Sequence, residues 1–134
     1  MSPKTWIAIA ALLGALSVGL GAFGAHALPN ALKAQELSQL DLDRRLANWE
    51  TAARYHMYHA LAILAAAWLL SRGGGMPAHL AGWCFLAGIL IFSGCLYALV
   101  LSGVKVLGAI VPIGGVLLIV GWLALAVAGM KLRE

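Results

Sequence analysis

Four apolar runs, separated by short polar or glycine-rich stretches, set out the organisation of this chain. They cover about residues 5–27, 49–70, 78–101 and 106–130. About 20 apolar residues in helical form cross a bilayer core of roughly 30 Å. The pattern therefore predicts an all-α, antiparallel four-helix membrane bundle, with residues 1–134 forming one transmembrane domain.

The first run divides cleanly on a helical wheel. Ala10, Gly14, Ser17, Gly21, Gly24 and Ala25 fall on one side, with Ile9, Leu12, Leu13, Leu16, Leu20 and Phe23 on the other. A small-residue strip lets helix backbones approach where lipid removes the hydrophobic drive to associate. The small side is expected to pack and the bulky side to face lipid. Pro29-Asn30 is expected to end this helix.

Residues 28–48 form the one long polar connection, where Leu37, Leu40 and Leu42 punctuate charged side chains. The spacing fits a short interfacial helix or a solvated linker equally well. Asp41 or Asp43 is the expected cap of the second helix. Its uncharged part, Tyr55–Ser71, is only just long enough to span, which puts Arg54 at headgroup depth. Glu50 and Arg54 stand at i and i+4, in the order that favours an ion pair.

Arg72-Gly-Gly-Gly-Met-Pro77 reads as a turn, and Ser102-Gly103-Val104-Lys105 as a tight hairpin. Pro112 removes a backbone bond in the fourth run, and Gly114-Gly115 permits a bend or close packing there. Pro112 and Gly115 thus join Gly14, Ser17, Gly21 and Gly24 as expected packing positions. Lys131, Arg133 and Glu134 are expected in water. Threaded up and down, Trp6, Trp68, Trp83 and Trp122 fall on one side as an interfacial belt. Trp49, Tyr55 and Tyr97 fall on the other.

Composition agrees with this pattern. Apolar residues make up 63% and charged ones 10%, far from soluble averages of about 45–50% and about 25%. The formal charge is +4 and the pI near 9.4, yet the cations stand singly at the ends of apolar runs. That is a membrane-boundary pattern, and nucleic acid is not an expected partner. Counting Lys and Arg gives four on the side of the termini and five on the other, which sets no orientation. Lys4, an apolar run and Ala25-His26-Ala27 imitate a signal peptide, but the uncharged stretch from Thr5 to Leu32 exceeds a signal core. A retained span is expected. Cys84 and Cys95 lie in one predicted helix about 16 Å apart, beyond the reach of about 7 Å that a disulfide needs.

The polar chemistry gathers in Trp49–Ala60, as Glu50, Arg54, Tyr55, His56, Tyr58 and His59. His56 and His59 share a helical face, and antiparallel packing would bring His26 to the same depth. Three imidazoles could hold zinc, copper or haem iron; the alternative is hydrogen bonding to carbonyls, tyrosines or lipid phosphates. An embedded Asp, Glu, Lys or Arg would mark a transport path, and no span carries one deep inside. That disfavours a proton-coupled cation exporter. A Cys-x-x-Cys pair for thiol redox chemistry is also missing.

Several stretches together resemble a known family. They are Gly21-Ala-Phe-Gly-Ala-His26-Ala-Leu28, Trp49-x-Thr-Ala-x-x-Tyr55-x-x-x-His59-Ala-Leu61, Phe92-Ser-Gly-x-Leu-Tyr97-Ala-Leu99, and Leu107-Gly-x-Ile-x-Pro112-Ile-Gly-Gly115 with Gly121-Trp122. The chain resembles the small bacterial inner-membrane proteins typified by YgdD and YwdK, a domain of unknown function. The resemblance implies a four-span inner-membrane protein and brings no activity, ligand or catalytic residue. Cys95 stands where the family pattern leads one to expect Ser, which speaks against an essential thiol.

The expectation is a structural or interaction component of the cytoplasmic membrane, without catalytic residue, metal or cofactor. Its partners would be the lipid bilayer and a homo-oligomer or membrane-protein partner. The rivals are a metal- or haem-binding redox module on His26, His56 and His59, and a protein that handles lipid or a small solute at the Arg54 cluster.

Overall fold

A computed structural model describes residues 1–132, all of whose regular structure is helical. Arg133 and Glu134, expected in water, lie outside the described residues. Helix α1 spans Pro3–His26, α2 Leu28–Lys33, α3 Gln39–Ser71, α4 Gly75–Gly88, α5 Gly94–Ser102 and α6 Leu107–Met130. A π-helical segment, Ile89–Ser93, joins α4 to α5. Among the described residues, three stretches are long and apolar enough to cross a membrane by length and composition: Pro3–His26, Gly75–Ser102 and Leu107–Met130. In α3 the charged first turns and the tyrosines and histidines of Trp49–His59 lower that measure.

Local chemistry explains the ends. Ser2 caps α1 by accepting from the Thr5 N–H at 3.2 Å, and Pro3 occupies the first turn, where its missing N–H costs nothing. Helix α1 ends at His26, just before Pro29-Asn30, as expected, but Pro29 also helps to start a second short helix. It sits in the first turn of α2, a position that tolerates proline, and Leu28 and Leu32 anchor that helix in the core. The cap of α3 is Ser38, not Asp41 or Asp43. Ser38 Oγ accepts from the Asp41 N–H at 3.2 Å and donates to Asp41 Oδ2 at 2.8 Å, so the aspartate takes the supporting third position. The polar connection is therefore two helical pieces, α2 and the start of α3, with only a short link between.

The α5–α6 turn depends on Gly103. Its φ of +73° lets its N–H reach back to the Leu99 carbonyl at 2.8 Å, closing α5 in a left-handed cap.

Helix α3 is the axis of the packing: α1 lies along one side, α4 and α5 along another, and α6 packs chiefly on α4 and the π segment. The main core runs through Trp6, Ala10, Ile63, Ala67, Phe85 and Leu118. A second cluster, Leu28, Leu32, Leu42, Trp49 and Val100, fastens α2 beneath the end of α1. Outside, large side chains point away from the bundle; Leu12 is 72% exposed and Leu123 64%. Such an apolar coat suits hydrocarbon and would be a liability in water.

The face of α1 that packs differs from the wheel reading. Trp6, Ala10 and Ser17 are buried and Gly24 is packed, but Leu13 and Leu20 also press inward. Gly14 and Gly21 are only half-buried, and a Cβ on either would meet nothing within 4 Å. The inward face is turned by roughly 60° from the small-residue strip. The reason lies in α3, which supplies the small surface: Ala52, Ala60, Ala66 and Ala67 are almost completely buried there. Leucine knobs from α1 fit against alanines, so α1 needs fewer small residues of its own.

Trp6 also departs from expectation. It is 1% exposed, seated over Gly82 with its ring edge-on to Trp83 at 5.2 Å, whereas Trp68, Trp83 and Trp122 remain half-exposed.

Candidate functional site

The polar groups of α3 separate into an inner and an outer set. On the inner side, two backbone carbonyls of α3 accept hydroxyl bonds from neighbouring elements. Ser17 Oγ of α1 donates to the Ala53 carbonyl at 2.9 Å, and Ser93 Oγ of the π segment donates to the Ala52 carbonyl at 2.9 Å. A carbonyl oxygen has two lone pairs, so each can take this bond beside its own helical one. Trp49 repays the contact in the other direction: its Nε1–H donates to the Leu20 carbonyl of α1 at 2.8 Å. Gly24, one turn beyond Leu20, makes this possible, since a Cβ there would collide with the Trp49 indole.

His59 is fully engaged. Its Nδ1–H donates to the Tyr55 carbonyl at 2.7 Å, and its Nε2 accepts from the Trp122 Nε1–H of α6 at 3.2 Å. The ring is thereby fixed as the neutral Nδ1–H tautomer, since one nitrogen must donate and the other accept. Phe85 and Trp122 enclose it, with ring centroids at 5.7 and 6.1 Å.

His56, three residues earlier, is the opposite case. It is 3% exposed, and neither ring nitrogen has a hydrogen-bond partner among the described residues. The Tyr97 hydroxyl is likewise unpartnered, and the two rings lie 6.3 Å apart. An unmet buried polar group costs about 1–3 kcal/mol, so this pair is the least satisfied part of the interior. A cleft of about 130 Å³ between α1 and the α4–α5 stretch touches both residues, with Leu13, Leu20 and Leu90 on its walls.

The outer set comprises Glu50, Arg54, Tyr55 and Tyr58. Arg54 Nη2 and Glu50 Oε1 form an ion pair at 2.8 Å, both side chains largely exposed. Tyr55 stacks on Phe92 at 4.8 Å. With Tyr58, His59, Leu61 and Trp122 it lines an open cleft of about 440 Å³ between α3 and α6.

His26 is exposed at the end of α1. No three His, Cys, Asp or Glu side chains among the described residues are grouped to hold a metal ion, so the His26–His56–His59 constellation is not assembled. Antiparallel packing matches the levels of α1 and α3 but leaves His26 outside, while His59 has spent both nitrogens on the bundle.

Gly115 lies 3.8 Å from the Phe92 ring at its added-Cβ position, and Pro112 stands on the exposed side of α6. The sharper contact is at Gly114, where a Cβ would strike the Phe92 backbone nitrogen. Sequence reasoning missed Trp122 as the partner of His59, and it missed Arg45. Arg45 Nη1 donates to the Val100 carbonyl at 3.0 Å and to Gln35 Oε1 at 3.1 Å. These partners lie on other elements, and no local spacing announces them.

Residues 20–115 match a family model described as a protein of unknown function, DUF423. Over 96% of its length the chain is 41% identical to the UPF0382 membrane protein YwdK of Bacillus subtilis, covering 98% of that protein. It is 44% identical to a UPF0382 membrane protein of Staphylococcus aureus, over 96% of this chain and 97% of the relative. A Staphylococcus epidermidis UPF0382 membrane protein is also 44% identical, with the same coverage. No solved structure matches the chain.

Proposed function

This chain belongs to the DUF423 family of membrane proteins, and on that premise we propose that it is a structural or interaction component of the bacterial cytoplasmic membrane, crossing it four times. The fourth crossing is α3. At 33 residues it is about 50 Å long, enough to span the hydrocarbon and project its charged first turns beyond it. Its histidines are carried inside the bundle, which removes them from contact with lipid.

One observation carries the reading: four embedded hydrogen-bonding side chains are turned inward, onto the bundle itself. Ser17, Trp49, His59 and Ser93 each tie one element to another. His56 and Tyr97, which lack partners, border only a narrow cleft. A surface left for a partner lies along the outer edge of α1 and α3, where Gly21, Gly24, Ala25, Ala47 and Ala53 border an apolar groove of about 470 Å³.

Crosslinking in intact membranes tests this. With Cys84 and Cys95 replaced, Gly21→Cys and Ala25→Cys should each give a discrete crosslinked species containing a second copy or another membrane protein. Monomer alone at both positions, and at Gly14→Cys, would overturn the interaction reading.

A further inference from the structure

At the end of the bundle where α5 stops and α6 begins, a cavity of about 290 Å³ opens between the first turns of α3 and the α5–α6 turn. Arg44, Arg45, Asn48 and Lys105 line it together with Asp41, and Leu99 forms part of its apolar side. Its depth follows from α5 and α6, whose apolar lengths end at this level. The cavity thus has leucine side chains, Leu37 and Leu99, on one side and cations on the other.

The cations are held there with their charge unspent. Among the described residues the ion pair is Arg54–Glu50, so Arg44, Arg45 and Lys105 have no carboxylate partner. Asp41, the one acid in the lining, accepts from Ser38 in the α3 cap. Arg45 is positioned by the Val100 carbonyl at the end of α5, where the helix dipole favours a cation. Gly103 makes room for it, since a Cβ there would come 2.7 Å from Arg45 Nη2. Lys4, Lys33, Arg54, Arg72 and Lys131 line none of these cavities.

We propose that this cavity binds a phosphate ester at the membrane surface. The Arg44 guanidinium fork suits phosphate oxygens, Arg45 contributes its positive charge from a fixed position, Lys105 adds a mobile point charge, and the Asn48 amide is a further donor. Leu37 and Leu99 suit the glycerol and first methylenes of a lipid. The same chemistry would accept the phosphodiester of an anionic phospholipid or a soluble glycerophosphate.

The test uses the full chain in phosphatidylcholine nanodiscs with graded phosphatidylglycerol, reading retained lipid by native mass spectrometry. The wild-type protein should retain phosphatidylglycerol over phosphatidylcholine by roughly tenfold, since each surface cation weights an anionic lipid several-fold. The double variant Arg44→Gln/Lys105→Gln should lose most of that preference while keeping its helix content and its Tm in pure phosphatidylcholine. Arg54→Gln, outside the cavity lining and with its charge already paired to Glu50, should leave it unchanged. Displacement by glycerol 3-phosphate would identify a soluble ester as an occupant; failure to displace would identify the lipid headgroup. Equal retention of the two lipids by wild type, or undiminished preference in the double variant, would overturn the proposal.

Discussion

The two long seams of the bundle are held by different means. Between α1 and α3, side chains bond across to backbone carbonyls: Ser17 to Ala53 and Trp49 to Leu20. Between the α4–α5 stretch and α6, no side-chain hydrogen bond crosses among the described residues. Instead glycines open holes for bulky groups. Gly88 receives Leu118, Gly121 receives Phe85, and Gly114 lies against the Phe92 backbone. In lipid both devices are available, because close packing and interhelical hydrogen bonds are what remain once apolar burial ceases to discriminate. The lesson is that Gly88, Gly114 and Gly121 leave the glycine seam no room for an added atom, whereas the hydrogen-bonded seam, Gly24 apart, loses its bonds one at a time.

The largest break should come at Gly114→Val. The obstructing atoms belong to the Phe92 backbone, which cannot swing aside as a side-chain tip would. A loss of about 3 kcal/mol is expected, read as a steep fall in folded yield and in Tm in mild detergent. Wild-type stability would show that α6 can lift away at no cost and that the seam is not tight. Trp49→Phe comes next. It keeps the ring between Phe23 and Tyr97 but removes the bond to Leu20, for about 1 kcal/mol. Ser17→Ala should be smallest, near 0.6 kcal/mol, measured with Trp49→Phe in the same unfolding titration. A Ser17→Ala effect equal to that of Gly114→Val would erase the distinction between the seams.

Much of the fold was legible because hydrophobic run length is a strong signal: the ends of α1, the α4–α5 stretch and α6 lie close to the apolar boundaries. What escaped depended on contacts distant in sequence. The π segment sits in an unbroken apolar run, and its partners are Ala52 and Gly114. Helix α2 was hidden because Pro29 reads as a stop, although proline also fits a first turn. The rotation of α1 was invisible because a wheel shows which side is small but not that the facing helix already supplies alanines. In the candidate cluster the Glu50–Arg54 pair followed from spacing alone. The contrasting fates of His56 and His59 did not, since Tyr97 and Trp122 decide them from other helices.

The central claim is that α3 crosses the membrane with its polar side enclosed. The most direct measurement is labelling with a membrane-impermeant maleimide at Gln35→Cys, just before α3, and Gly73→Cys, just after it, in a background lacking Cys84 and Cys95. The account predicts that the two positions label from opposite sides of sealed vesicles, with Lys105→Cys on the side of Gln35→Cys. Labelling of Gln35→Cys and Gly73→Cys from the same side would mean that α3 lies along the membrane, and would contradict it.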